Sequence, residues 1–329
     1  MWKDARTILL LAGSLPLASC EGVQSTLEPQ GLEAERLIFL FWAMTIGSGV
    51  ILMVVFALTA LAIYGPRKWR RRMAEDSIII GAGIVFPVVV LTALVIYGFI
   101  LIGAGGARPD SDAVKIAVVG ERWWWRVHYM NPAGRKIESA NEIRLPANRS
   151  VEIELSSADV IHSFWAPKLA GKLDMIPGRK NILTLKAREP GISRGQCAEY
   201  CGGAHALMSF YVVVLPEPEF EQWRAREAGP APAPTSAQTR EGMRLFMAGG
   251  CGACHAIRGT SAAGTLGPDL THVGGRMSLA AATLPNDEAS FARWIRDGQH
   301  IKPGNLMPPY GIFSDSELAA LSSYLASLR

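Results

Sequence analysis

The sequence predicts a multidomain membrane protein: a two-helix transmembrane hairpin, an all-β sandwich and a small all-α domain. Three observations carry this. Residues 37–64 and 78–102 are apolar runs without a single charged residue. Between 113 and 215, short β-prone segments (VKIAVVG, WWWRVHYM, RSVEIEL, NILTLKA, FYVVVL) are punctuated by Pro and Gly, the pattern of a sandwich or small barrel. Beyond an Ala/Pro-rich stretch, helical patterns return and run to residue 329. A chain of this length has room for two domains or more.

The first twenty residues, MWKDARTILLLAGSLPLASC, have a charged start, an apolar middle and small residues before Cys20. They read as a signal peptide over 1–19 rather than a spanning helix. Leu17-Ala18-Ser19-Cys20 resembles a bacterial lipobox, whose cysteine is lipidated to give a lipoprotein; an uncleaved or differently cleaved leader stays open. Residues 20–108 then form the hairpin, since each apolar run exceeds the roughly 20 residues that cross a bilayer. The basic cluster PRKWRRR (66–72) between them stays cytoplasmic by the positive-inside rule. Everything after residue 108 is therefore expected outside the cytoplasm, on a multi-pass protein of the bacterial inner membrane.

The formal net charge of +4 is mild and does not point to nucleic acid. Each close cysteine pair, Cys197/Cys201 and Cys251/Cys254, is followed by a histidine at ligand spacing. That favours metal and haem chemistry over the disulfides an exported protein could also carry.

The stretch GQCAEYCGGAHALM places Cys197, Cys201, His205 and Met208 within fourteen residues. Thiolate and imidazole select copper or zinc, and the thioether favours copper. A single copper site leaves one thiolate surplus, whereas two thiolates can bridge two coppers that share one electron. Each copper then needs its own imidazole. The second is assigned to His162 in DVIHSFWAP, with His128 as its rival inside a strand pattern.

DVIHSFWAP and GQCAEYCGGAHALM behind a two-helix hairpin resemble subunit II of a haem-copper cytochrome c oxidase. The resemblance implies a cupredoxin sandwich over 109–216 holding the binuclear copper centre CuA. By it, Cys197 and Cys201 are the bridging thiolates and His162 and His205 the terminal imidazoles. Met208 and the Glu199 backbone carbonyl are the weak ligands, and the Glu199 side chain reaches a magnesium ion at the subunit I interface. In GERWWWRVHY, ordinary strand packing accounts for part of the tryptophan run. Trp123 resembles the surface tryptophan that accepts electrons from cytochrome c. The second apolar run departs from the family: taking Pro87 as register mark, a position that is acidic in many members is apolar here. Glu75 and Asp76 lie just before it.

CGACH is the C-x-x-C-H signature of c-type haem attachment, with Cys251 and Cys254 as thioether links and His255 as proximal ligand. Zinc or a redox disulfide is the alternative. A Met/His pair suits an electron carrier because it raises the haem potential. Met243, Met247, Met277 and Met307 are candidates, with His272 and His300 as nitrogen alternatives. The order CxxCH, loop, Met, final helix resembles the small soluble cytochromes c and selects Met307. It implies an all-α class I cytochrome c domain over 238–329, with Gly267-Pro268 supplying the carbonyl that orients the proximal histidine. Residues 217–237 read as a semi-stiff linker keeping this domain at high effective concentration. Ser314 and Glu317 form a capping box ahead of the last helix.

Taken together, the resemblance implies the electron-input subunit of a proton-translocating terminal oxidase in a respiratory chain. Electrons pass from cytochrome c, or a quinol–cytochrome c complex, via haem c and CuA to haem a and the O2-reducing site of subunit I. Neither apolar run carries the histidines that O2 chemistry requires, so that step belongs to a partner. A CuA-containing subunit of a nitric oxide reductase and a stand-alone membrane-anchored carrier or copper-delivery protein remain open. Quinol-oxidase relatives lack the copper ligands present here.

Overall fold

The protein is described by a computed structural model covering residues 21–105, 110–130 and 136–329. The signal-peptide and lipobox readings lie outside these residues.

Two compact units are present, one of residues 35–108 and one of the rest. In the first, helix α1 (Leu32–Tyr64) and a second span over Asp76–Leu101 are long and apolar enough to cross a membrane. At 1.5 Å per residue the 33 residues of α1 extend roughly 50 Å, more than the 30 Å or so of a bilayer core. Basic α2 (Arg67–Met73) lies between them. The second span begins as α3 (Asp76–Ile80), widens into a π-helical turn at Gly81–Val85 and continues as α4 (Phe86–Gly105). Asp76 opens α3 and Glu75 is its extended N-cap.

In the second unit, two five-stranded sheets pack face to face. One has the order β3-β2-β1-β5-β8 and the other β4-β10-β9-β6-β7. Their strands are β1 (Val114–Glu121), β2 (Trp124–Met130), β3 (Lys136–Ala140), β4 (Glu142–Pro146), β5 (Ser150–Ser157), β6 (His162–Trp165), β7 (Leu173–Met175), β8 (Asn181–Lys186), β9 (Gly191–Cys197) and β10 (Ser209–Leu215). The alternation read from the sequence appears as inward and outward residues along β1 and β2. Trp125, Tyr129, Phe164 and Phe210 fill the layer between the sheets. Phe164 and Phe210 stack at 4.6 Å, and Trp125 meets both edge-on, an arrangement favoured by aromatic quadrupoles. Strands β4 and β6 are too short for their alternation to stand out in the sequence.

The stretch expected to be a linker from 217 onward begins instead as helix α5 (Glu217–Glu227). Its Phe220 and Trp223 are buried against Tyr129, with the Trp223 and Tyr129 rings 4.9 Å apart. Two aromatic side chains three apart make one helix face, and the sandwich offers it a partner. Only the stretch after α5 has linker character, and it too is held, through Ala231 N–H to the Arg258 carbonyl at 2.9 Å.

Helices α6 (Ala237–Ala248), α7 (Glu288–Ile301) and α8 (Asp315–Ser327) build the remaining part around a second apolar cluster, together with a short hairpin β11 (Ser278–Leu279) and β12 (Leu284–Pro285). Helices α6 and α8 pack closely, and Phe246 meets Tyr324 edge-on at 6.1 Å. The capping box at the start of α8 is present: Ser314 accepts the Glu317 amide, and Glu317 accepts the Ser314 amide at 2.8 Å. Replacing Ser314 with Ala is expected to lower stability by about 1 kcal/mol in denaturant unfolding, and an unchanged midpoint would contradict that.

Candidate metal and haem sites

Strand β9 ends at Cys197 and β10 begins at Ser209, so residues 198–208 form the loop of a hairpin. The Cys197 amide donates to the Met208 carbonyl at 2.8 Å and closes that loop. Across the other edge of β9, Phe164 of β6 is the register partner of Cys197. That register puts His162, two residues back along β6, beside the loop from 35 positions away.

The donor atoms converge. Ligand atoms of His162, Cys197 and Cys201 all lie within 4.8 Å of one another. The two sulfurs are 3.8 Å apart, and both cysteines are free. A disulfide would need about 2.05 Å. By contrast, two sulfurs each about 2.3 Å from a shared metal at a tetrahedral angle stand roughly 3.8 Å apart. Cys197 Sγ lies 3.8 Å from His162 Nδ1 and 3.2 Å from the Glu199 carbonyl. Cys201 Sγ lies 3.5 Å from His205 Nδ1 and 3.8 Å from Met208 Sδ. Each sulfur thus has its own imidazole and its own weak donor. His128 is not brought to this cluster; its ring pairs with Glu138 at 3.2 Å.

The electrostatics of the pair fit a cation. Cys197 is pushed down, first by its hydrogen bond with Cys201 and then, against burial, by His162; Cys201 is pushed up, first by Cys197 and then by burial. Two adjacent buried thiols oppose each other's ionisation, and a positive ion between them removes the opposition.

Sequence reasoning missed Asp159. Its carboxylate accepts from His162 Nε2 at 2.8 Å and from the Arg122 and Val160 amides. Burial raises the Asp159 pKa, but these bonds hold it below the usual carboxylate range. Because a carboxylate only accepts, Nε2 carries the proton and the Nδ1 lone pair faces the sulfurs. The signal was the D-x-x-H spacing in DVIH.

Trp123, expected at the surface, is 8% exposed. Its Nε1–H donates to the Cys201 carbonyl at 3.0 Å, and Gly304 of the helical domain covers its outer edge. Trp124 is half-buried under the Arg126 guanidinium, and Trp125 is core.

In the helical domain Cys251 and Cys254 are free and half-buried, and a short 3-10 turn places them just before His255. His255 Nδ1 donates to the Pro268 carbonyl at 2.8 Å, as the LGPDL stretch suggested, leaving Nε2 as the free lone pair. Burial lowers the His255 pKa, which favours the neutral ring that a ligand needs. A Cβ on Gly267 would stand 2.4 Å from the ring, so only glycine allows this approach. Met307 and Cys251 pack on the same apolar cluster. The Met307 loop is pinned by Gln299, whose Nε2 donates to the Met307 carbonyl at 3.1 Å and the Asn305 carbonyl at 2.6 Å. Met243 and Met247 border this cluster too, whereas Met277 is 41% exposed. His300 is exposed, and His272 Nε2 faces the Gly229 carbonyl at 3.4 Å. Free thiols, an oriented imidazole and a neighbouring apolar cluster fit a covalent haem.

Residues 129–215 match the family described as cytochrome c oxidase subunit II, periplasmic domain, and residues 239–329 match the cytochrome c family. The chain is 33% identical over 346 residues to a cytochrome c oxidase subunit 2 of Alkalihalophilus pseudofirmus, covering 100% of this chain and 98% of that protein. Against a cytochrome c oxidase subunit 2 of Bacillus subtilis it is 31% identical over 360 residues, covering 100% and 99%. The crystal structure of the periplasmic domain of subunit II of cytochrome oxidase from Bradyrhizobium japonicum is 30% identical, with a TM-score of 0.34, and covers 37% of this chain and 95% of that one. The chain belongs to the cytochrome c oxidase subunit II family, in the form that joins a copper-binding periplasmic domain and a haem-binding cytochrome c domain on one polypeptide.

Proposed function

We propose that the chain is the electron-input subunit of a proton-translocating terminal oxidase. It takes electrons from cytochrome c, or a quinol–cytochrome c complex, by way of haem c and a binuclear CuA centre to haem a and the O2-reducing site of subunit I. The observation that carries this is the sulfur pair of Cys197 and Cys201, 3.8 Å apart with a separate imidazole beside each sulfur. When bound, two coppers sharing one electron and a Met/His-ligated haem supply one-electron carriers that need little rearrangement.

The chain's residues do the positioning. Cys197 and Cys201 would hold the copper pair, with His162 and His205 as its imidazole donors and Met208 and the Glu199 carbonyl as its weak donors. The exposed Glu199 side chain is offered to a magnesium ion at the subunit I interface. Cys251 and Cys254 would hold the haem, with His255 and Met307 offered to its iron. The hairpin anchors the chain in the bacterial inner membrane with the α2 cluster cytoplasmic and both cofactor domains on the periplasmic side. The test is a metal and optical analysis of the purified chain. Two coppers and one covalent haem per chain support the reading; a single zinc, or no haem, overturns it. In the assembled complex, consumption of NO in place of O2 would move the chain to the reductase.

Asp159→Asn is expected to keep the fold while weakening copper binding roughly 10–100-fold, because an amide no longer fixes the His162 tautomer. A copper titration of the variant measures this, and wild-type affinity would contradict the role of Asp159.

A further inference from the structure

At the junction of the two cofactor domains lies a buried lysine to which, among the described residues, no carboxylate is bonded. Lys302, at the end of α7, is 3% exposed. Its Nζ donates to the Trp123 carbonyl at 2.7 Å and the Ala280 carbonyl at 3.0 Å. Burial pushes its ammonium down to about 7, offset in part by the Cys201 sulfur. Burying a lysine head group without an ion-pair partner is costly, and here its two carbonyl acceptors fix where it sits.

The acceptors come from different domains. Trp123 belongs to the copper sandwich, and Ala280 to the turn between β11 and β12. That turn holds three consecutive alanines with φ of 51°, 59° and 60°, a left-handed conformation that the alanine Cβ disfavours. Strain of this kind persists where surrounding contacts demand it, and here each carbonyl is used. Ala280 accepts from Lys302, Ala281 from the Ser209 amide at 3.2 Å, and Ala282 from Arg194 at 3.3 Å. Thr283 Oγ1 adds a bond to the Leu207 carbonyl at 3.3 Å, so the haem domain grips both sides of Met208.

The Trp123 indole is held between two glycines with positive φ. A Cβ on Gly202, in the copper loop, would lie 3.1 Å from Cζ2; one on Gly304, in the haem domain, 3.1 Å from Cη2. Gly304 precedes Met307 by three residues, and the indole Nε1–H reaches the Cys201 carbonyl. One continuous bridge therefore runs from the Met307 loop through the ring to Cys201.

We propose that Lys302 is a positioning residue that seats the chain's own haem domain over Trp123, making that indole the bridge for internal electron transfer instead of a docking point for a diffusing cytochrome c. The inference rests on the cofactor reading above. One electron leaves ferrous haem c and one is gained by the oxidised copper pair, with no bond or proton exchanged. The external cytochrome c resupplies haem c only.

The test uses the complete oxidase with Lys302→Met, which keeps length but removes every donor, and Lys302→Arg, which restores a cation. Hydroxyl-radical footprinting should find Trp123 protected in the native chain and oxidised in Lys302→Met. Flash-triggered transfer from haem c to copper should slow roughly tenfold or more, since small misplacements cost rate steeply, with Lys302→Arg partly restoring it. Both optical spectra and electron uptake by haem c should stay unchanged. A protected Trp123 and native internal transfer in Lys302→Met would overturn the proposal. If that variant does not fold, the native complex decides: copper reduced ahead of haem c by soluble cytochrome c overturns it, and the reverse order supports it. Missing copper or haem would overturn the cofactor reading instead, and footprinting of Trp123 would still test the seat.

Discussion

Cys197→Ser is expected to strip the copper from the sandwich, abolish its mixed-valence absorption and lower oxidase turnover roughly a hundredfold or more. Loss of an outer partner of a ligand already costs about 10–100-fold in affinity or activity, and loss of a shared thiolate costs more. The serine hydroxyl does not ionise near neutral pH, so Cys201 alone would face two ions. The fold itself should survive. The site is 4% exposed, and the hydroxyl finds the Glu199 carbonyl, 3.2 Å from the present sulfur, as an acceptor. Copper content, near-infrared absorption and thermal melting, measured together, separate the outcomes. A variant that keeps two coppers would remove the sulfur-bridge assignment, and one that unfolds would show Cys197 to be a core residue first.

The second large effect is expected in the other domain. A Cys251→Ser, Cys254→Ser double variant should release all haem under denaturing conditions, whereas the native chain should keep it covalently. Its cytochrome domain should also melt earlier. Leu245, Phe246, Leu321 and Tyr324 are buried in the cluster that Cys251 and Met307 border, and a haem held beside it would add apolar contact to that cluster. Each kcal/mol lost moves a domain of this size by about 4–8 °C, so Tm is expected to fall by several degrees or more. Scanning calorimetry on the two proteins reads this directly. A redox disulfide or zinc pair would lose no haem in the variant, because none was held.

Much of the architecture is legible in the chain itself. The apolar runs, the alternating strands and the Ser314 box follow from local periodicity and capping, which neighbouring residues decide among themselves. The fourteen-residue Cys/His/Met loop and CGACH are legible for the same reason: their donor residues are close in the chain, and the loop needs only a hairpin to close it. His162 is inferable because a two-copper reading of the cluster asks for a second imidazole, although its distance to Cys197 comes from the β6–β9 register. Other features have no local signature. Phe220 and Trp223 look like linker residues until Tyr129 gives them a face to pack on. Trp123 looks like an exposed docking residue until Gly304 and Lys302 cover it.

The sequence by itself set which donors are available: sulfur, imidazole and thioether groups at spacings that suit copper and haem chemistry. The tertiary structure alone decided how the two sites meet. Lys302 and Trp123 are 179 positions apart, and the left-handed Ala280–Ala282 turn has no local propensity that would announce it. Such contacts are selected by the packing of whole domains, where burial and carbonyl satisfaction outweigh what any short stretch prefers.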